Sequence, residues 1–68
     1  MINIWAYANS LPRIKLTDTH GEQYIGQVLA VLDAEELDSD QDCIDIRLDS
    51  GAIKSFYPYE IERIDVIQ

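Results

Sequence analysis

Residues 22–33 read EQYIGQVLAVLD, and this stretch decides the fold. Its apolar residues recur at period two on both sides of the chain. Tyr24, Val28, Ala30 and Leu32 fall on one face, and Ile25, Leu29 and Val31 on the other. Such a run predicts a long strand covered on both faces over part of its length. Gly26 lies inside it, where a strand bends sharply or another backbone comes close. These traits predict the curved strand of a small barrel.

On the N-terminal side, Asp18-Thr19-His20-Gly21 reads as a turn in which Gly21 is free to take a positive φ. His20, the only histidine, sits there without a set of metal ligands around it and is expected to be exposed. Before the turn, residues 13–18 (RIKLTD) alternate cleanly, with Ile14 and Leu16 inward. Residues 2–11 place Ile4, Trp5, Ala8 and Leu11 at helical spacing, with Tyr7 beside them and Asn3 or its neighbour at the capping position. Pro12 follows, where helices stop. A short helix over one open end of the barrel is therefore expected. One Trp in a small domain is usually needed for burial, so Trp5 and Tyr7 read first as core or lid residues and second as a peptide-binding pair.

On the C-terminal side the composition changes. Residues 33–42 (DAEELDSDQD) hold six acids and one large apolar residue, Leu37, which is expected to tuck back as an anchor. The segment reads as a solvated connection, or as a contact surface for a basic partner. Asp38, Asp40, Asp42 and Asp49 also have the spacing of a calcium loop, but Cys43 stands where Gly is required and no Glu closes the loop. Residues 43–48 (CIDIRL) alternate again, with Ile44, Ile46 and Leu48 inward and Asp45 and Arg47 toward water. Asp49-Ser50-Gly51 is a hairpin turn. Residues 52–57 return as a strand with Phe56 favoured as its deeper aromatic. Pro58 ends that strand, residues 59–62 fit one helical turn, and RIDVI (63–67) is a last strand with Ile64 and Val66 inward. Five short strands in this order predict a mainly β, five-stranded SH3-like or Sm-like barrel with a short N-terminal helix, spanning residues 1–68 as a single domain.

The bulk numbers narrow the function. At 68 residues the chain has a thin margin of stability, and its hydrophobic content of 47% is that of a globular protein. No apolar run approaches the roughly 20 residues of a bilayer span, and no secretory signal is recognised, so no membrane partner is expected. The single Cys43 cannot form an internal disulfide, which favours a cytoplasmic location. The net charge of −8, thirteen acids against five bases, repels phosphate backbones and disfavours nucleic-acid binding. Nucleophilic catalysis needs a base beside Ser, Cys or Thr, and none is visible; the three glycines sit singly, with no phosphate-binding loop. The chain is expected not to be an enzyme and to need no cofactor or metal.

The arrangement resembles the Sm-like fold. Sm-like proteins carry a hydrophobic residue, any residue, Gly, any residue, a hydrophobic residue and an acid five residues later; Tyr24, Gly26, Val28 and Asp33 match, and Gly21 fits the preceding turn. The layout is similar to that of small Sm-like proteins of low-GC Gram-positive bacteria and their phages. An Asn shortly after the acid belongs to the family's RNA site, and Ala34-Glu35-Glu36 stands there instead. A basic residue and Gly belong before the last strand, and Glu60-Ile61-Glu62-Arg63 stands there. The RNA site is thus not carried over. Tyr57-Pro58-Tyr59 is similar to the closing segment of SH3 domains, whose opening aromatic motif is absent.

Three functions follow as expectations. The first is a non-enzymatic protein-interaction module whose protein partner, basic where it faces the acidic segment, meets Glu35, Glu36, Asp38, Asp40, Asp42, Trp5 and Tyr7, or an exposed strand edge that pairs with a partner or with another copy in a homo-oligomer. The second is an acidic nucleic-acid mimic that inhibits a basic nucleic-acid-binding protein. The third is residual single-stranded RNA binding.

Overall fold

Alternation at residues 13–18 gives strand β1 (Arg13–Asp18), which buries Ile14, Leu16 and Asp18 and leaves the residues between them partly exposed. The computed structural model describes residues 2–37 and 40–67. The remaining strands are β2 (Gln23–Leu32), β3 (Cys43–Leu48), β4 (Ile53–Phe56) and β5 (Ile61–Ile67). They form one antiparallel five-stranded sheet in the order β4-β3-β2-β1-β5. The expected closed barrel is not completed by hydrogen bonds, because β4 and β5 lie at the two edges. Pro58 accounts for the break: it has no N–H to continue the ladder, and Pro58–Glu60 instead form a 3₁₀ turn that carries the chain away from β4. That turn lies one residue earlier than the sequence suggests, and Ile61 is the buried first residue of β5.

The long strand is where periodicity misleads. Residues opposite one another in an antiparallel pair share a face. Val28 opposes Ile46, but the next pairs are Ala30 with Asp45, Val31 with Ile44 and Leu32 with Cys43. Leu29 is an extra residue in β2, a β-bulge, and a bulge shifts the alternation by one. Tyr24, Gly26, Val28 and Val31 therefore share the inner face, whereas Ala30 and Leu32 turn to the other. Val31 packs against the core as a result.

Gly26 takes the second of its two expected roles. A Cβ at this position would overlap the Arg47 carbonyl oxygen and stand 2.9 Å from Ile46 Cγ2. Only a residue without a side chain lets β2 and β3 approach this closely. At the turns, Gly21 and Gly51 take φ of 83° and 96°, in the left-handed region that suits glycine.

The core consists of Ile4, Ile14, Leu16, Val28, Ile44, Ile46, Phe56 and Ile61, with Ile2, Tyr7, Tyr24, Val31, Leu48 and Ile64 packed on it. Each fully buried aliphatic or Phe side chain contributes about 1.5–3 kcal/mol. The Cα radius of gyration of 11.0 Å matches the roughly 11 Å expected for a close-packed chain of this length. No helix among the described residues is long and apolar enough to cross a membrane.

The N-terminal helix is shorter than its spacing implies. It is a 3₁₀ turn, Ile4–Tyr7, capped by the Asn3 side chain, which accepts from the Trp5 amide at 3.2 Å. Asn9 and Ser10 are weak helix formers, and Leu11 turns to φ 47° directly before Pro12. The Leu11 amide still donates to the Tyr7 carbonyl at 3.2 Å, and the Leu11 carbonyl accepts from the Gln27 side chain. Ile4 alone is buried in this turn. Trp5 is not a core residue, being 43% exposed.

Candidate functional site

The acidic segment starts where β2 ends, at a turn built by its own carboxylates. Asp33 accepts from the Glu35 amide at 2.7 Å, and the Leu37 amide donates to the Asp33 carbonyl at 3.2 Å. Leu37 does not tuck in; it is 37% exposed, since its backbone bond holds it in the surface turn. Asp42 closes the segment. Its Oδ1 accepts from the Ala34 amide at 2.8 Å and its Oδ2 from the Trp5 indole N–H at 2.8 Å. The Trp5 bond, with the Ala34 amide behind it, holds the Asp42 carboxyl below the usual carboxylate range.

The structure thus joins Trp5 and Asp42, two of the seven residues expected at a partner surface, but to each other. Tyr7 is half-buried against the core. Glu35, Glu36 and Asp40 face water. Asp38 lies outside the described residues. Asp49, the far member of the calcium-like spacing, is drawn elsewhere: Arg13 donates to it twice, at 2.9 and 3.1 Å. The Asp45 carboxylate accepts from the Ser55 hydroxyl and lies 3.7 Å from the Cys43 thiol. Burial pushes the Cys43 thiol up, and the Asp45 charge adds to the shift.

A second arrangement is a recess of about 350 Å³ between the β1–β2 turn, the inner side of β2 and β4, and the 3₁₀ turn. Asp18, Thr19 and His20 form one wall, Tyr24, Lys54 and Phe56 the floor, and Tyr59 and Glu60 the other wall. The turn is stiffened from within, because Asp18 Oδ1 accepts from the His20 and Glu22 amides, each at 2.9 Å. The Thr19 amide reaches across to the Glu60 carbonyl at 3.1 Å, tying the two walls. Glu60 Oε1 accepts from the Tyr57 amide at 2.9 Å. Tyr57 and Tyr59 stack with centroids 5.6 Å apart and planes 6° apart.

Lys54 lies opposite Ile46, on the strand face that carries Phe56, and its side chain is exposed. Its Nζ stands 5.6 Å from the Tyr24 ring centroid and 5.3 Å from that of Phe56, within cation–π reach. The two rings meet tilted, 5.2 Å apart. Phe56 is the buried aromatic of β4, as its alternation suggests. Sequence reasoning passed over this recess. The signal was present in Lys54, a charge two residues before Phe56 and hence on the same strand face. No protein-family model, curated protein or solved structure matches the chain.

Proposed function

We propose that the protein is a non-enzymatic protein-interaction module, an SH3-like or Sm-like small barrel whose free strand edges pair with a second copy of the chain. The observation that carries this reading is the pair of open edges, β4 and β5, at opposite ends of the strand order. Each edge strand holds a well-exposed aliphatic residue, Ile53 at 61% and Val66 at 55%. Open edges present unpaired N–H and C=O groups that a further strand satisfies. Because the two edges differ, their pairing is head-to-tail, and a rotation that closes gives a ring.

Charge opposes this assembly, since every copy carries −8. Salt screens that repulsion, so association strengthens as ionic strength rises. Leaving catalysis out of the reading is supported by Cys43, a buried thiol with its pKa raised that pairs with Leu32 at the end of β2, and by His20, which lies in the turn before the other end of that strand.

Light scattering over a range of protein and salt concentrations tests the proposal. The expected mass is a multiple of 7.8 kDa that grows with salt and is lost in Ile53→Lys or Val66→Lys. A mass fixed at one chain under all conditions rejects self-pairing.

A second reading, mimicry of nucleic acid toward a basic protein, draws on Glu35, Glu36 and Asp40, which face water in one acidic segment. Its test is neutralisation of these three and not of Asp42, whose loss also releases Trp5 and Ala34.

A further inference from the structure

We propose that the recess between the β1–β2 turn and the 3₁₀ turn binds a carboxylate carried on a flat apolar group. Its volume of about 350 Å³ falls in the range of small-ligand pockets, about 300–1,000 Å³. Lys54 stands opposite the fully buried Ile46, on the strand face that carries Phe56, with its side chain exposed at the recess. Its ammonium lies over two aromatic rings and in no ion pair among the described residues.

The local charges are arranged for an anion, against the sign of the whole molecule. Both carboxylates in the walls accept from backbone amides of their own turns: Asp18 from His20 and Glu22, and Glu60 from Tyr57. Neither is bonded to Lys54. The ammonium keeps its donors for an incoming group, and a charge-assisted bond to a carboxylate is about twice as strong as a neutral one. The exposed ring of Tyr59, stacked on Tyr57, and the half-buried ring of Tyr24 supply apolar surfaces for a flat body. The −8 field lowers the affinity for every anion, so binding requires the ring contacts as well as the charge.

The site is independent of edge pairing: a titration reads the recess and light scattering reads mass, so either proposal can fail alone. N-acetyl-phenylalanine is the probe, followed by amide shifts in ¹⁵N-labelled protein. Its neutral amide and acetate separate the ring from the charge. Ac-Gly-Gly-Gly-Phe separates a free small acid from the end of a peptide chain. Saturable shifts are expected at Thr19, His20, Lys54 and Glu60, at least about tenfold weaker binding of the amide, and a similar loss in Lys54→Gln. Lys54→Arg retains the charge and restores binding, which separates lost recognition from damaged folding. Tighter binding of the tetrapeptide assigns the site to a chain end; equal binding assigns it to a small acid. Saturation absent up to about 10 mM, an amide that binds as well as the acid, or unchanged affinity in Lys54→Gln overturns the proposal.

Discussion

The indole N–H of Trp5 donates to the Asp42 carboxylate at 2.8 Å, joining positions 37 residues apart in sequence. Since the same carboxylate also holds the Ala34 amide, one side chain fastens the N-terminal turn and both ends of the acidic segment. Asp42→Ala should red-shift Trp5 fluorescence and speed hydrogen exchange at Ala34. Unchanged emission together with unchanged exchange would show that the contact does not order the segment.

Acid should weaken the fold. Hydrogen bonds from Trp5, Arg13 and Arg63 lower the pKa values of Asp42, Asp49 and Asp65 respectively. A carboxyl with a folded pKa below its unfolded value of about 3.9 stabilises the protein fully above that value. The contribution is lost as pH falls through the lowered folded pKa. Urea melts should therefore show a loss of stability below about pH 4, with a shallower slope in Asp42→Ala. Stability that instead rises between pH 5 and 3 would place relief of repulsion among the thirteen acids above these contacts.

Gly26→Ala should destabilise by about 3 kcal/mol, the upper end for overpacking, because the new methyl meets the Arg47 backbone and not a movable side-chain tip. Chemical denaturation measures it. A loss below about 0.5 kcal/mol would mean that β2 and β3 separate easily.

The Cys43 thiol should resist modification. It is buried, and burial and Asp45 both raise its pKa, so little thiolate forms near neutrality. An aromatic disulfide reagent at pH 8 should react slowly with the native protein and rapidly in denaturant. Equal rates in both would contradict this.

The shifted alternation in β2 gives a paired test. Val31→Thr places a hydroxyl toward the core and should cost about 1 kcal/mol. Ala30→Thr lies opposite Asp45 on the other face and should change stability by under about 0.5 kcal/mol. The reverse order would return these residues to simple period-two counting.

Much of the sheet is legible in the sequence because short alternating runs have only one way to bury their apolar side. Residues 13–18 and 43–48 are strands with the expected bounds, and Ile14, Leu16, Ile44 and Ile46 are core. Ala30 and Leu32 are misplaced because an extra residue such as Leu29 leaves no local mark; only pairing with β3 reveals it. The N-terminal spacing fits a full helix, yet Leu11 and Pro12 stop it early. The Trp5–Asp42 bond and the walls that enclose Lys54 are illegible for one reason: each joins residues that only the tertiary path brings together, and the sequence shows no more of the recess than Lys54 on the face of Phe56. Acidity located the segment around Asp42, but not that Asp42 is committed within it.

Leu29 also bears on how this chain can change in length. Deleting Leu29 would erase the bulge and leave Val28 and Val31 two positions apart, both still inward and still opposite Ile46 and Ile44. The rest of the sheet has no such slack: without Asp45, Ile44 and Ile46 would fall on opposite faces. Beyond Leu29, length variation should therefore collect in the acidic connection after residue 33, where the count of residues carries no such meaning.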